Sequence, residues 1–314
     1  MATGDASSFL HTEIHTGDEV FDDLGGEWER LFEASRQQTY FLRRHWTRTW
    51  WETFRPPHSH LFIVTCRDAD DRLVGLAPLY WRQRTSAGIH HLREILFLGT
   101  GVFTQTSECL DLIARRGHER EVAAAVADAL RAETDWDRLW LSEVPAASAI
   151  LPHFERALGG TPETAVCETA HYVDTDTDWE AFKRPLGRTT RQNTQRLARR
   201  LFENYACEFR RVEAADELER GMDALVRLHQ ARWQMKDEPG SFALPGVERL
   251  LREAARDALA EGRLRLWTLA INGEVAAAQL AFLDNGTAHC FQAGFDPAYA
   301  GASVGKVMLM LCLK

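Results

Sequence analysis

The chain has 314 residues, about twice a common domain size, so one large domain or two moderate ones can bury a core, and a small disulfide-stapled scaffold is excluded. Hydrophobic residues make up 45% and charged residues 26%, which is typical of globular proteins and excludes a disordered or fibrous one. The net charge of −9 makes the molecule as a whole repel nucleic acid and anionic membranes, although a local basic patch can override this average.

The first half of the chain alternates strand and helix patterns. Apolar residues recur at Trp46, Trp50 and Phe54, which favours a helix anchored in a core over a ligand-stacking role. The polar turn at 68–72 joins two strands into a hairpin, and a meander followed by a helix indicates a mostly antiparallel or mixed sheet. We predict strands over 9–15, 61–65, 73–81, 92–98, 109–113 and 138–144, and helices over 20–34, 41–54, 122–131 and 148–158.

An acidic, polar segment at 174–180 is typical of a linker that leads into a helix, so we predict modules over 1–174 and 175–314. In the second module, Asn272-Gly273 and the Asp-Asn-Gly sequence at 284–286 predict two tight hairpin turns. We predict helices over 186–205, 217–235, 247–260 and from 304 onward, strands over 208–212, 264–271, 274–283 and 287–293, and a loop over 294–301.

The six cysteines lie far apart and form no compact group with histidines, so we expect reduced thiols and no metal site. The N-terminus lacks a signal-peptide pattern, and the longest apolar run, 307–313, has only seven residues. We therefore expect a cytoplasmic protein without a membrane span.

Seven short motifs lie along the chain, and their order and spacing are more informative than any one of them. They are GLAPLY at 75–80, FLG at 97–99, LHQARW at 228–233, GSF at 240–242, GRLRLW at 262–267, GEVAAA at 273–278 and GFDP at 294–297. The second half, with its three-stranded meander, glycine loop and last helix, resembles the GNAT acyltransferase fold. The chain is similar to the bacterial CelD-like acetyltransferases, relatives of the FemAB-like proteins. The resemblance implies an α/β protein of α+β type with two tandem GNAT-like modules, each a mixed, mostly antiparallel sheet flanked by helices.

The resemblance also implies an acyl-CoA donor, acetyl-CoA in particular. The donor is expected to bind through its pyrophosphate where a loop enters the last helix, because a helix N-terminus offers free N–H groups to an anion. The binding residues are then Gly301, Ala302, Ser303, Val304, Gly305 and Lys306. The family pattern of Arg or Gln, two residues, Gly, one residue, and Gly or Ala is matched only in part. A plain turn with Ser303 as the N-cap is the alternative, although Lys306 in a first helical turn is easier to explain beside a bound anion.

Three residues are candidates for the general base that removes the proton of an attacking amine: His229, Asp296 and Glu143. His229 falls on the apolar stripe of its helix, so a satisfied core histidine is the alternative. Asp296 precedes a proline, where Asp commonly bonds backbone. Glu143 lies near the end of a predicted strand and either faces the cleft between the modules or is simply solvated.

A basic run covers 183–211, with nine Lys and Arg residues against Glu203 and Glu208. The run, centred on Arg188–Arg200, is either a solvated helix face or a surface for an anion such as the CoA 3′-phosphate, an acidic polymer or tRNA. Because FemAB-like relatives transfer aminoacyl groups from tRNA, tRNA stays an open partner.

We therefore predict an N-acyltransferase that moves an acyl group from acyl-CoA to a small-molecule or peptide amine by direct attack in the cleft between modules. Aminoacyl-tRNA-dependent transfer and a non-catalytic GNAT-like binding module in polysaccharide or lipid metabolism are the alternatives. The acceptor, the acyl chain length and homo-oligomerisation are left open, because sequence patterns do not report pocket volume.

The chain stops about ten residues into its last helix, at an apolar run without a stop signal. From the GNAT pattern of a further strand, helix and strand, we expect the second module to be incomplete by roughly 40 to 60 residues. An exposed strand edge would follow, to be covered by a partner chain or to promote association.

Overall fold

The computed structural model describes residues 10–86, 90–103 and 106–314, so Phe9 of the first predicted strand lies outside the described residues. The chain divides into two compact units, Met1–Glu168 and Thr169–Lys314, here called unit 1 and unit 2. Each unit has its own sheet.

Unit 1 contains six strands and five α-helices in its described residues, together with a 3-10 turn at Tyr40–Leu42. The strands are β1 (His11–His15), β2 (Ser59–Arg67), β3 (Leu73–Ser86), β4 (His90–Phe97), β5 (Ile113–Ala114) and β6 (Arg138–Trp140). The helices are α1 (Val20–Asp23), α2 (Gly25–Ala34), α3 (Arg44–Phe54), α4 (Glu119–Ala132) and α5 (Leu151–Leu158).

The sheet of unit 1 has the order β1-β2-β3-β4-β6, with β5 paired to β3. All pairs are antiparallel except β4 with β6. The predicted hairpin between β2 and β3 is confirmed. Its turn is held by Asp68, whose carboxylate accepts the backbone N–H groups of Asp70 and Arg72 at 3.0 and 2.9 Å.

Large aromatic side chains fill the core of unit 1. Trp46 and Trp50 of α3 are fully buried, and Phe54 is nearly so, which confirms the predicted aromatic anchor. The buried indole N–H groups donate hydrogen bonds, that of Trp46 to the Ser107 hydroxyl and that of Trp50 to the Thr106 hydroxyl. Burial therefore leaves these polar atoms satisfied.

Unit 2 contains α6 (Trp179–Lys183), α7 (Arg188–Asn204), α8 (Ala215–Gln234), α9 (Val247–Ala260) and α10 (Val304–Cys312). Its strands are β7 (Cys207–Arg211), β8 (Leu264–Ile271), β9 (Glu274–Asp284) and β10 (Thr287–Phe295). They form a fully antiparallel sheet in the order β10-β9-β8-β7. With the mixed sheet of unit 1, this confirms the predicted α+β class with two sheets flanked by helices.

Both predicted tight turns of unit 2 are present, and Asn272 and Gly273 both have positive φ, 52° and 90°, as a hairpin of this kind requires. On one face of the sheet, α7 and α10 pack onto β8 and β9. Their shared cluster contains Leu201, Leu269, Ile271, Ala276, Ala277, Val304, Val307 and Met308. Val304, the first residue of α10, therefore packs in this cluster and anchors the start of the helix to the sheet.

Several predicted bounds are wrong for local reasons. The helix over 20–34 is interrupted at Leu24, next to Gly25 and Gly26, which are poor helix formers. The helix over 41–54 begins at Arg44, because a 3-10 turn precedes it, and the helix over 148–158 begins at Leu151. The predicted loop over 294–301 contains the end of β10 and a 3-10 helix, Pro297–Ala302.

Two predicted strands are shorter than expected because of left-handed residues. The strand over 138–144 ends at Trp140, and Glu143 has φ 63°, which a strand does not accommodate. The strand over 109–113 is reduced to Ile113–Ala114, and Cys109 has φ 52°. Glu143 therefore does not end a strand, as the sequence predicts, but lies in a turn beyond it.

Candidate functional site

The end of β10 leads through a 3-10 helix to the start of α10, and this connection carries the residues expected to bind the donor. Asp296 is the first residue of this connection. Its backbone N–H donates to the Ala276 carbonyl at 2.8 Å, and its carboxylate accepts the Ala298 N–H at 2.9 Å. Asp296 therefore caps the 3-10 helix, the backbone role that sequence reasoning gave as its alternative to catalysis.

Ser303 is the N-cap residue of α10, but its side chain makes no capping hydrogen bond, contrary to expectation. Its backbone is left-handed, with φ 55° and ψ 38°, whereas a capping serine has an extended backbone. The Ser303 carbonyl accepts the N–H groups of Lys306 and Val307 at 3.0 and 3.1 Å. Ser303 thus starts the helix through its backbone.

Two N–H groups at the start of α10, those of Val304 and Gly305, have no backbone acceptor within the described part of the chain. They lie at the positive end of the helix dipole, where an anion is stabilised. The six residues predicted to bind the acyl donor, 301–306, thus form one turn around these two N–H groups.

The two glycines of this turn differ in their surroundings. A Cβ atom at Gly301 would have no neighbour within 4 Å, so the glycine leaves open space beside the backbone. A Cβ atom at Gly305 would lie 3.2 Å from the ring of Phe295, so that glycine permits close packing of the helix. Gly301 therefore faces the space a bound group could occupy, whereas Gly305 has a packing role.

His229 lies in the second half of α8 and is almost completely buried. Trp233, one turn later, donates its indole N–H to His229 Nε2 at 2.9 Å. Since Nε2 accepts this bond, the ring proton lies on Nδ1, which is 3.1 Å from the side-chain oxygen of Gln230. Burial lowers the pKa of His229, so the imidazole is neutral at pH 7.

Two further side chains join this histidine, and neither was predicted. The Ser241 hydroxyl lies 3.3 Å from His229 Nε2 and 3.3 Å from Gln292 Oε1. Gln292 is on β10 next to a β-bulge, where the register shifts between Cys290 and Gln292. The GSF motif at 240–242 was a signal for Ser241, whereas nothing in the sequence singled out Gln292.

Glycines let these elements approach one another. A Cβ atom at Gly294 of β10 would lie 2.2 Å from the backbone nitrogen of His229, so strand and helix touch there. Gly240, with φ 68°, turns the chain against His229 and Trp233. The cluster of His229, Gln230, Trp233, Ser241 and Gln292, here called the His229 cluster, is thus held by backbone contacts.

The geometry of the His229 cluster is compatible with two roles for His229, a general base and a hydrogen-bonded core residue. A neutral imidazole with an acceptor nitrogen has the protonation state that a general base requires. The same nitrogen already accepts from Trp233, as in a satisfied core histidine. The hydroxyl and amide of Ser241 and Gln292 are polar groups that a bound ligand can also use.

Glu143 belongs to unit 1, where it lies near other carboxyl groups. Its carbonyl accepts the Leu110 N–H at 2.9 Å, and burial together with Glu168 raises its pKa. The neighbouring Glu108 was not predicted. Burial, Glu143 and Glu168 raise the pKa of Glu108 to about 7.

The basic run lies on α6, α7 and β7. Lys183 pairs with Glu180 at 2.6 Å, whereas Arg184, Arg188, Arg191 and Arg200 have no carboxylate within 4 Å among the described residues. A surface depression of about 480 Å³ is lined by Glu180, Lys183, Arg184, Arg188, Arg191, Gln192 and Gln195. This surface, here called the α7 surface, carries uncompensated positive charge.

The structure also bears on metal ions and membranes. The described residues contain no group of three or more His, Cys, Asp or Glu side chains placed to hold a metal ion. Across the same residues, no helix combines the length and apolar character needed to cross a bilayer.

Residues 188–314 match the family model of the acetyltransferase (GNAT) domain. Among solved structures, FemX matches with a TM-score of 0.60 and 10% identity, over 97% of this chain and 85% of that one. A conserved protein of unknown function from Bacteroides thetaiotaomicron VPI-5482 matches with a TM-score of 0.53 and 13% identity, over 95% of this chain and 86% of that one. No curated protein sequence matches the chain.

At these identities the structural likeness is one of fold, and the match to the acetyltransferase family concerns residues 188–314 alone. The α7 helix, the antiparallel sheet and the turn at 301–306 all lie within the matched residues. Residues 188–314 therefore match the GNAT acetyltransferase domain, and the chain as a whole shares its fold with FemX.

Proposed function

We propose that the chain is an N-acyltransferase that moves an acyl group from acyl-CoA to an amine by direct attack of the amine on the thioester. The observation that carries this proposal is the start of α10, where two N–H groups without a backbone acceptor lie beside the open space at Gly301. A pyrophosphate fits such a place, because the helix dipole and the N–H groups both favour an anion.

Gly301 offers a sharper test of donor binding than Gly305, because a side chain at Gly305 would press on Phe295. In Gly301→Glu, the added carboxylate would enter open space and repel a pyrophosphate. We expect at least about a tenfold loss of acetyl-CoA affinity by calorimetry, with the melting temperature unchanged. Gly25→Glu is the matched control, since a Cβ atom there also has no neighbour within 4 Å.

Unchanged acetyl-CoA affinity in folded Gly301→Glu would remove the pyrophosphate role from this turn. Release of CoA thiol in the presence of amine acceptors, followed for acetyl-CoA and longer acyl-CoAs, tests the transfer itself. Binding without any release would favour the non-catalytic GNAT-like module over an enzyme.

His229 is the proposed general base, supported by its neutral imidazole and by the polar neighbours Ser241 and Gln292. A base must be unprotonated, so kcat/KM should rise with pH through the lowered pKa of His229 and be flat above it. His229→Gln should abolish this rise. If His229 is only a core residue, the variant should lose melting temperature and keep the shape of the pH profile.

Asp296 and Glu143 stay secondary candidates for the base. The carboxylate of Asp296 already accepts the Ala298 N–H, and burial raises the pKa of Glu143, which makes its carboxylate a stronger proton acceptor.

A second donor, aminoacyl-tRNA, is favoured by the α7 surface, because arginines without carboxylate partners are available to phosphates. Replacing Arg184, Arg188 and Arg191 with Gln should weaken tRNA binding and reduce its salt slope by about 2 to 3, at 0.7 to 0.9 per phosphate contact. Acetyl-CoA affinity should change far less.

Three arginines of α9, Arg249, Arg252 and Arg256, make the matched control, since each is paired with a carboxylate. Equal, small effects of the two triple variants on tRNA binding would show that the α7 surface is only solvated.

A further inference from the structure

A row of charged side chains crosses the sheet of unit 1. Arg82 of β3, Glu94 of β4 and Arg138 of β6 are direct neighbours in register, and the next row on the same face contains Tyr80, Leu96 and Trp140. Arg82, Arg84, Glu94, Arg138 and Trp140 are here called the Glu94 patch.

Glu94 is fully buried, with 0% of its side chain exposed, and Arg82 alone satisfies it at short range. The Nε and Nη2 atoms of Arg82 donate to Glu94 Oε2 at 2.9 and 2.8 Å, and its Nη1 donates to the Gly101 carbonyl. This pair is tight, because a buried carboxylate needs a close partner.

Two more guanidinium groups share the same carboxylate only loosely. Arg84 lies 3.7 Å from Glu94 Oε2 and Arg138 lies 3.5 Å from Glu94 Oε1. Across the described residues, neither has another carboxylate within 4 Å. Three positive charges therefore face one negative charge, and the patch has an excess of two.

This excess is not a general property of the sheet. Arg93, the neighbour of Glu94 on β4, is compensated by Asp135 and by Asp137, the latter at 2.7 Å. The loosely held groups are also accessible, since 52% of the Arg84 side chain and 47% of the Arg138 side chain are exposed. The Arg138 guanidinium lies 4.5 Å from the centre of the Trp140 ring, and Trp140 is 40% exposed.

We propose that the Glu94 patch binds a phosphate monoester of a small molecule. A monoester dianion matches the excess of two charges, and guanidinium groups bind phosphate oxygens with paired N–H donors. Arg84 and Arg138 turn from their long contacts with Glu94 to the phosphate, while Arg82 keeps Glu94 paired. Trp140 contacts the carbon part of the ligand. The site uses unit 1 alone and does not depend on the proposed transfer reaction.

The test uses phenyl phosphate and phenyl sulfate, which are alike in shape but carry two charges and one charge at pH 7.5. We expect saturable calorimetric binding of phenyl phosphate, about tenfold tighter than of phenyl sulfate. Binding should weaken from pH 7.5 to pH 5, because the second phosphate pKa is about 6.

Arg84→Gln and Arg138→Gln should each weaken phenyl phosphate binding about fivefold or more, and the double variant further. Both side chains are about half exposed, and Arg84→Gln tests the proposal even if Arg138→Gln alters the sheet edge. Arg36→Gln is the control, because Arg36 is exposed on the same unit and is paired with Glu119 at 2.8 Å. Absence of saturable binding, equal affinity for the two probes or an equal effect of Arg36→Gln would each overturn the proposal.

Discussion

The two units fill their cores in different ways. Eleven of the twelve largest fully buried side chains among the described residues belong to unit 1, and only Phe282 belongs to unit 2. Unit 2 instead buries small residues, among them Ala276, Ala277 and Ala278 on β9. Its helix α8 touches β10 at Gly294, with no room for a side chain between them.

This difference indicates where each unit tolerates change. A core of large rings with bonded indole groups is sensitive to removal of volume. A core in which backbones lie in contact is sensitive to added volume. The polar residues of the His229 cluster are held in unit 2 by such contacts, so packing and site geometry are connected there.

The largest expected effect is the loss of a ring from unit 1. Trp50→Ala should cost about 3 to 5 kcal/mol in the free energy of unfolding, because it empties a buried site and removes the donor to Thr106. Urea unfolding followed by tryptophan fluorescence reports mainly on unit 1, which has seven of the ten tryptophans. Trp140→Ala is the exposed control, and a cost under about 1 kcal/mol for Trp50→Ala would contradict the aromatic-core description.

The next effect is the addition of one methyl group to unit 2. Gly294→Ala places a Cβ atom 2.2 Å from the His229 backbone nitrogen, so the helix or the strand must shift. We expect a loss of about 3 kcal/mol, measured by unfolding followed by circular dichroism, and loss of acyl transfer. Gly301→Ala, with open space around the new atom, should leave stability unchanged. Equal stability of the two variants would show that α8 and β10 are not in contact.

The carboxyl groups of unit 1 should make its stability depend on pH. The pKa of Glu108 is raised from its ordinary 4.5 to about 7, so the folded chain holds a proton that the unfolded chain releases. The contribution of Glu108 to stability is therefore most favourable below pH 4.5 and becomes less favourable as the pH rises to about 7. Glu108→Gln should remove this part of the pH dependence and stabilise the protein by about 2 kcal/mol at pH 8. The exposed Glu52→Gln is the control, and an unchanged pH profile in Glu108→Gln would contradict the burial of this carboxyl.

The smallest effect separates the two roles of Asp296. Asparagine accepts the Ala298 N–H as well as aspartate does, so Asp296→Asn should keep both stability and acyl transfer if Asp296 is only a cap. Asp296→Ala should cost about 1 kcal/mol. A large loss of kcat in a fully stable Asp296→Asn would instead support Asp296 as the base.

Local sequence signals predict the elements whose causes are local. The helix α9 and the strand β8 have the bounds that periodicity predicts, and the Asn-Gly turns follow from the backbone freedom of those residues. The order of elements in unit 2 and the place of the glycine turn before α10 were likewise predicted. The domain bounds and the donor remain predictions.

Contacts between distant residues could be decided only by the tertiary structure. The sequence around His229 does not indicate that Ser241 and Gln292 lie beside it. Ser241 belongs to the connection after α8, and Gln292 belongs to a strand some sixty residues after His229. The left-handed backbone of Ser303 and of Glu143 also opposes their local preferences.

Which charged residues pair with one another is likewise decided by the tertiary structure. The sequence shows that positive charges are dense between 183 and 211, but it does not show which arginines find a carboxylate. Arg252 pairs with Glu219 and Asp223 of another helix, whereas Arg188 and Arg191 pair with none in the described residues. The elements arise from short-range preferences of the chain, but the availability of a charge depends on which side chains folding brings within about 4 Å of it, and only the packing of the elements sets that distance.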